Sequence, residues 1–176
     1  GEFSIDVPEL WISPTDHVVL TGANGTGKSL VVRSVIESVP DKVKVAYVPQ
    51  DVGPEERERA LRHLRDQDQE MKGRVLSIVA RLNSDPDKLL DGNDLSPGEL
   101  RKLMLAEQLV TNPSLLVLDE PTNHLDVGSI EALQGMLAGF PGAFLLVTHD
   151  RRLADAVAQA RWRTGRAGDG FEVRVE

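Results

Sequence analysis

The stretch that decides the fold is VVLTGANGTGKSL, Val18 to Leu30. The apolar run Val18-Val19-Leu20 ends in a loop of the form Gly-x-x-x-x-Gly-Lys-Ser, and a helical pattern follows from about Lys28 to Ser38. Strand, glycine-rich turn and helix in that order outline a phosphate cradle. The glycines let the backbone curl until its N–H groups face phosphate oxygens, and the helix adds its positive end. The candidate nucleotide loop is therefore Gly22, Ala23, Asn24, Gly25, Thr26, Gly27, Lys28, Ser29 and Leu30. Lys28 is placed to reach the β- and γ-phosphates, and Ser29 to ligate Mg²⁺. A glycine-rich turn without a ligand is the plainer reading, and the flanking strand and helix weigh against it.

Outward from the loop, apolar runs alternate with helical patterns. Strands are expected at Val18–Thr21, Val43–Val48, Leu115–Leu118 and Phe144–Thr148, and helices at Ser129–Leu137 and Leu153–Ala160. Short continuous apolar runs suit strands buried on both faces, so the fold expected is an α/β domain with a mostly parallel sheet. Its ligand sites belong at the carboxyl ends of the strands. Between Pro54 and Leu95 the pattern changes to charged helical stretches (about Glu55–Asp66 and Gln69–Leu82) followed by a turn at SDPD. Residues 54–96 read as an inserted helical subdomain, with the α/β core supplied by 4–53 and 97–176. The closing ARWRTGRAGDGFEVRVE reads as an antiparallel edge hairpin around a Gly-rich turn. Residues 1–3 have the look of a cloning scar, and the strand-like sequence right after them suggests a piece of a longer protein.

Composition limits the function classes. A net charge of -8 argues against a general nucleic-acid surface, which needs clustered Lys and Arg. The mixed-sign run PEERERALRHLRD reads first as a solvated helix face. No apolar run approaches a bilayer's thickness, and the absence of cysteine removes disulfides and thiolate metal sites. These features fit a cytoplasmic location.

Three further stretches carry chemistry. SLLVLDEP ends a buried strand in adjacent carboxylates: Asp119 suits the Mg²⁺ shell, and Glu120 suits a general base for water. LLVTHD repeats the design, with His149 placed to hold the γ-phosphate or the attacking water. Gln50, closing VAYVPQD, could reach the metal, or could be an ordinary turn residue. LSPGEL starts a helix, with Ser96 as N-cap, Pro97 in the first turn and Glu99 completing a capping box. That helix end is a second anion site in a chain whose own phosphates already have a cradle.

GANGTGKS, the Gln50 loop, LSPGE, LLVLDEP, NHLD (Asn123–Asp126) and VTHD occur in the order and approximate spacing of ATP-binding-cassette ATPases, and the chain resembles that family from about Val18 to Asp150. The resemblance implies a domain that binds and hydrolyses ATP with Mg²⁺ and dimerises head to tail with a second cassette. Ser96, Gly98 and Glu99 would then meet the partner's ATP. Asn123, Leu125 and Asp126 would form a loop at the dimer interface, and Gln50 would join Ser29 and Asp119 around the metal. Glu120, His149 and Lys28 would be catalytic, with low activity expected of the domain alone. PTNHLD, and Glu99 where transporters usually carry Gln, resemble the F subfamily, whose members act at the ribosome in translation or antibiotic resistance. The short segment between Val48 and Leu95 resembles the second domain of such proteins. The motor domain of a membrane transporter is the main alternative, and a binding-only cassette is another. Pro97 departs from the family's usual Gly, and Leu30 from its usual Thr or Ser. The family's adenine-stacking aromatic lies farther upstream than Trp11, which falls in the strand pattern LWI.

Overall fold

The computed structural model of the chain describes residues 5–6, 8–91, 95–167 and 170–176. Its strands are β1 (Ile5–Asp6), β2 (His17–Gly22), β3 (Val45–Val48), β4 (Leu115–Asp119), β5 (Ala143–Val147), β6 (Ala160–Ala167) and β7 (Gly170–Val175). They form one sheet in the order β1-β7-β6-β2-β5-β4-β3. Every neighbouring pair is parallel except β6 with β7. The helices are α1 (Lys28–Ser38), α2 (Pro54–Asp66), α3 (Gln69–Arg81), α4 (Pro86–Asp91), α5 (Pro97–Leu109), α6 (Val127–Ala138) and α7 (Arg151–Val157). This is the mostly parallel α/β architecture that the alternating pattern implied, with its antiparallel pair towards one edge.

The central strands are apolar throughout because helices cover both faces. Side chains alternate along a strand. Val18, Leu20, Val117 and Leu145 accordingly share a cluster with Val31 and Val32 of α1 and Trp162 of β6. Val19, Leu116, Leu118, Phe144 and Leu146 face the other way, against Leu105 of α5, Leu133 and Leu137 of α6, and Leu153 and Val157 of α7. A third cluster joins Leu61 and Leu64 of α2, Val75 and Val79 of α3, Leu89 of α4, and Leu100, Leu103 and Ala106 of α5. Helix α5 is thus the joint between the sheet and the helical unit, with Leu105 in one core and Leu103 in the other.

Several element boundaries differ from the sequence expectation. β3 begins at Val45 rather than Val43, whose N–H is taken by the Pro40 carbonyl at 2.9 Å in a turn. α7 covers Arg151–Val157 rather than Leu153–Ala160. Asp150 caps it by accepting the Leu153 N–H at 3.1 Å, and Gln159 N–H leaves for the His17 carbonyl at 2.8 Å as β6 begins. The SDPD turn opens the short helix α4. LWI forms no strand, and Trp11 is 76% exposed. The closing hairpin reaches farther inward than an edge: β6 lies directly beside β2, and β1 lies outside β7. Gly168 and Asp169, on which the sequence places the Gly-rich turn, lie outside the described residues, as do Gly1 to Phe3. Among the described residues no helix is long and apolar enough to cross a membrane.

Candidate active site

β2 delivers the glycine loop directly onto the first turn of α1. Gly22 has φ +150°, and a Cβ there would stand 2.0 Å from the Thr164 hydroxyl oxygen of β6, so only glycine fits. Gly27 caps α1 at φ 89°, a left-handed conformation that turns the chain into the helix. Thr26 stiffens the loop between them. Its hydroxyl lies 2.7 Å from the Ala23 carbonyl and 2.6 Å from the Thr164 hydroxyl. Lys28 reaches back over the loop and donates to the carbonyls of Gly22 at 2.9 Å and Ala23 at 3.1 Å. Ser29 and Leu30 follow on the same helical turn.

A cavity of about 760 Å³ opens at the carboxyl ends of β2, β4 and β5. Asn24, Gly25, Gly27, Lys28, Ser29 and Leu30 line it from the loop and α1; Gln50, Asp119, Glu120, Asn123 and His149 line it from the other side. Residues far apart in sequence thus converge, as the strand-end reading required. Asp119 ends β4 and is 6% exposed. Burial raises its pKa first and the neighbouring Glu120 charge second, while Lys28 and Arg101 pull it down.

Glu120 is also 6% exposed and sits at φ +47°, uncommon for a side-chain-bearing residue. Its N–H donates to the Val147 carbonyl of β5 at 2.9 Å, which fixes the turn beside the strand carrying His149. One carboxylate oxygen, Oε2, accepts the His149 backbone N–H at 3.2 Å. The other, Oε1, is buried without a hydrogen bond although His149 Nε2 lies 3.3 Å away. The distance allows an ion pair and the angle does not make a hydrogen bond, so Oε1 keeps its accepting capacity. His149 Nε2 lies 3.1 Å from Asn24 Oδ1 and 3.5 Å from Lys28 Nζ. Asn24 Oδ1 suits hydrogen on Nε2, whereas the Lys28 ammonium, which can only donate, suits a lone pair there, so the two contacts call for different tautomers. A carboxylate oxygen, an imidazole nitrogen and an ammonium therefore surround one point.

Ser29 hydroxyl, Gln50 amide and Asp119 carboxylate are hard oxygen donors around the same cavity. Among the described residues no group of three or more His, Cys, Asp or Glu could hold a metal by itself. One carboxylate with neutral oxygens fits Mg²⁺, which retains waters and takes substrate phosphates as ligands.

The other sequence candidates lie outside this cavity's lining. The capping box at α5 is complete: the Ser96 hydroxyl accepts the Glu99 N–H at 3.2 Å, and Glu99 Oε2 takes the Ser96 N–H at 2.8 Å. These bonds, backbone first, hold the Glu99 pKa below the usual carboxylate range. Gly98 is pressed against the loop after β4, where a Cβ would meet the His124 carbonyl oxygen at 2.5 Å. Asp126 caps α6 by accepting the Ser129 N–H at 2.8 Å and the Ser129 hydroxyl at 2.9 Å, and its pKa falls to about 2. Leu125 packs against the sheet core. Thr122, Asp150 and Phe171 line the cavity without having been singled out. The first two stand inside the quoted PTNHLD and VTHD, whereas Phe171 arrives through β7, a strand the hairpin pattern announces without saying that it reaches the cavity.

Fold and cavity together define a P-loop nucleoside-triphosphate-binding domain. The chain belongs to the ATP-binding-cassette family: the family model described as ABC transporter matches residues 6–123. The erythromycin resistance ATP-binding protein MsrA of Staphylococcus epidermidis is 32% identical over 152 residues, 83% of this chain and 31% of that protein. The tylosin resistance ATP-binding protein TlrC of Streptomyces fradiae is 36% identical over 161 residues, 84% of this chain and 29% of that protein. Both are of the F-subfamily type that the motifs resemble. The chain thus spans about a third of the length of these curated relatives. The dimeric ATP-binding cassette MJ0796, solved in a post-hydrolysis state with ADP and Pi, superposes with a TM-score of 0.72. It covers 95% of this chain and 87% of its own at 21% identity, a likeness that speaks for the fold alone.

Proposed function

We propose that the chain binds ATP with Mg²⁺ in the loop of Gly22 to Leu30 and hydrolyses it with Glu120 as general base. The observation that carries this is Glu120 Oε1: buried, without a hydrogen-bond donor, and set in one cavity with Lys28 and His149. Backbone N–H groups of the loop and the α1 terminus bind the phosphates, and Lys28 exchanges its two carbonyl partners for phosphate oxygens. Mg²⁺, held with Ser29, Gln50 and Asp119, would neutralise charge on the β- and γ-phosphates. Oε1 takes the proton of the attacking water, while His149 orients that water or the γ-phosphate.

The half-site at α5 goes to a second cassette. Ser96, Gly98 and Glu99 are absent from the lining of the chain's own cavity, and the capped helix end is an anion site. Asn123, Leu125 and Asp126 would sit beside that interface. Low turnover by the single domain follows, since each site would be completed in trans. The resemblance to the F subfamily and the two resistance relatives support a cytoplasmic role at the ribosome over a transporter motor.

Glu120→Gln in the two-cassette protein keeps the side chain's shape and removes the base. Phosphate release should fall by about 10²–10⁴-fold with ATP binding retained. The ATP-bound form should then co-sediment with ribosomes. Undiminished multiple-turnover hydrolysis would remove Glu120 from the base role, and absence from the ribosome pellet would remove the ribosomal one.

A further inference from the structure

Helix α5 carries two basic side chains that solvent scarcely reaches, Arg101 at 3% and Lys102 at 5% exposure. Lys102 has a plain structural task. Its ammonium donates to the Asn83 carbonyl at 3.0 Å and lies 3.5 Å from Asp126 Oδ2, tying α5 to the end of α3 and the cap of α6. Arg101 points elsewhere. Its Nη1 donates to the Pro49 carbonyl and its Nη2 to the Gln50 carbonyl. The acidic groups acting on it are Asp51 and Asp119.

The choice of acceptors is informative. The Pro49 carbonyl belongs to the peptide plane before the Gln50 Cα, and the Gln50 carbonyl to the plane after it. A guanidinium presents its donors in a rigid planar fork, so it fixes both planes at once. Two fixed planes set φ and ψ of the residue between them, and hence the direction of its Cα–Cβ bond. That residue is Gln50, which lines the cavity opposite Lys28 and Ser29. A buried cation is costly unless its donors are satisfied, and here two of them are spent on the two peptide planes that flank Gln50. Anchoring α5 alone does not require that arrangement.

We propose that Arg101 is a positioning residue of the metal–nucleotide site. Its fork sets the backbone of Gln50 so that the amide faces the cavity near Asp119, and it ties that setting to α5, the helix that starts at Ser96. A shift of α5 then changes how well Gln50 supports Mg²⁺ without moving Lys28 or the glycine loop. This inference rests on the Mg²⁺–ATP reading above.

The test is a Mg²⁺ titration of ATP binding by the chain, run beside thermal unfolding. Arg101→Lys keeps the buried charge near Asp51 and Asp119 but loses the planar fork. It should raise the Mg²⁺ concentration for half-saturation about ten-fold, the lower end of what losing an outer-sphere partner costs a metal site. ATP affinity without Mg²⁺ should stay as in the unaltered chain. Gln50→Ala should shift the Mg²⁺ titration similarly, and adding Arg101→Lys to Gln50→Ala should shift it no further. A normal Mg²⁺ titration in Arg101→Lys, or multiplied shifts in the double variant, overturns the inference while leaving ATP binding intact. An unaltered chain that binds no Mg²⁺–ATP overturns the proposed function and this inference with it. If Arg101→Lys does not fold, guanidinium NMR of the chain with native Arg101 decides. Mg²⁺ added to the ATP complex should move the Arg101 signal, and Gln50→Ala should abolish that movement. A shift that persists in Gln50→Ala overturns the inference.

Discussion

On the function proposed above, the cavity at the strand ends and the first turn of α5 both meet anions, yet they are finished to different degrees. Around the cavity, the loop, α1 and the ends of β4 and β5 contribute groups that already face one another within one chain. At α5 the polar groups are turned inward on themselves: Ser96 and Glu99 satisfy each other, and Gly98 rests on the His124 carbonyl. The lesson is one of completeness. On the function proposed above, a cavity whose groups already contact each other can take up the nucleotide within one chain, whereas a capped helix end acts only against a second surface, and turnover needs both.

The largest effect expected is on the scaffold that carries the unfinished half. Leu103→Ala empties a fully buried position in the helical core and should cost about 2–5 kcal/mol. Hydrogen exchange during mild urea treatment should show α2 to α5 opening before β2, β4 and β5. Simultaneous opening would make the two regions one cooperative unit and dissolve the contrast. Next comes Lys28→Ala, which removes a charge-assisted contact worth about 1.5–3 kcal/mol and should weaken ATP binding roughly 10- to 100-fold by titration calorimetry. Unchanged affinity would remove the loop from the binding role.

A smaller change tests the incomplete half. Ser96→Ala breaks the capping box and should lower stability by about 1 kcal/mol in chemical denaturation. ATP affinity of the single chain should not follow. A loss of affinity as large as that of Lys28→Ala would place the helix end at the chain's own nucleotide. Pro97 should be tolerated throughout, because proline suits a first helical turn.

The smallest effect concerns acid. Asp126 has a folded pKa of about 2, below the ordinary value, chiefly through the N–H and hydroxyl of Ser129. A depressed carboxylate stabilises the fold fully above its unfolded pKa, about 4, and loses that contribution as pH falls through the folded value. Denaturant midpoints should therefore drop between about pH 4 and 2, and drop less in Asp126→Asn. The side chain is largely exposed, so the difference will be slight and weaker in salt. Equal acid sensitivity in both proteins would discount the cap.

Much of this contrast was legible in the residues themselves. The loop, the apolar strands and the capping box have local causes, so Lys28–Ser38 and Ser96–Glu99 could be placed from spacing alone. What escaped has non-local causes. Nothing near Ala160 says that β6 will lie beside β2, because that choice depends on Trp162 and Thr164 finding α1's core and the glycine loop. The early end of α7 has the same origin, since Gln159 is claimed by His17. Arg101 reads as one charge in an amphipathic helix until the chain brings Pro49 and Gln50 beneath it.

The position of β2 also has a consequence for how the protein comes into being. Val19 lies beside Leu146 on one side and Arg161 on the other, so the strand that carries the loop has both neighbours at the far end of the chain. At translation speeds of roughly 5–20 residues per second, the strand leaves the ribosome on the order of ten seconds before those neighbours exist. Throughout that interval a segment apolar on both faces has no sheet to join, which makes it a natural target for a chaperone. A message broken between the loop and β6 would encode the whole loop without the strand that flanks it. The loop is among the first parts of the site to be made and gains its flanking strands only when β5 and β6 follow.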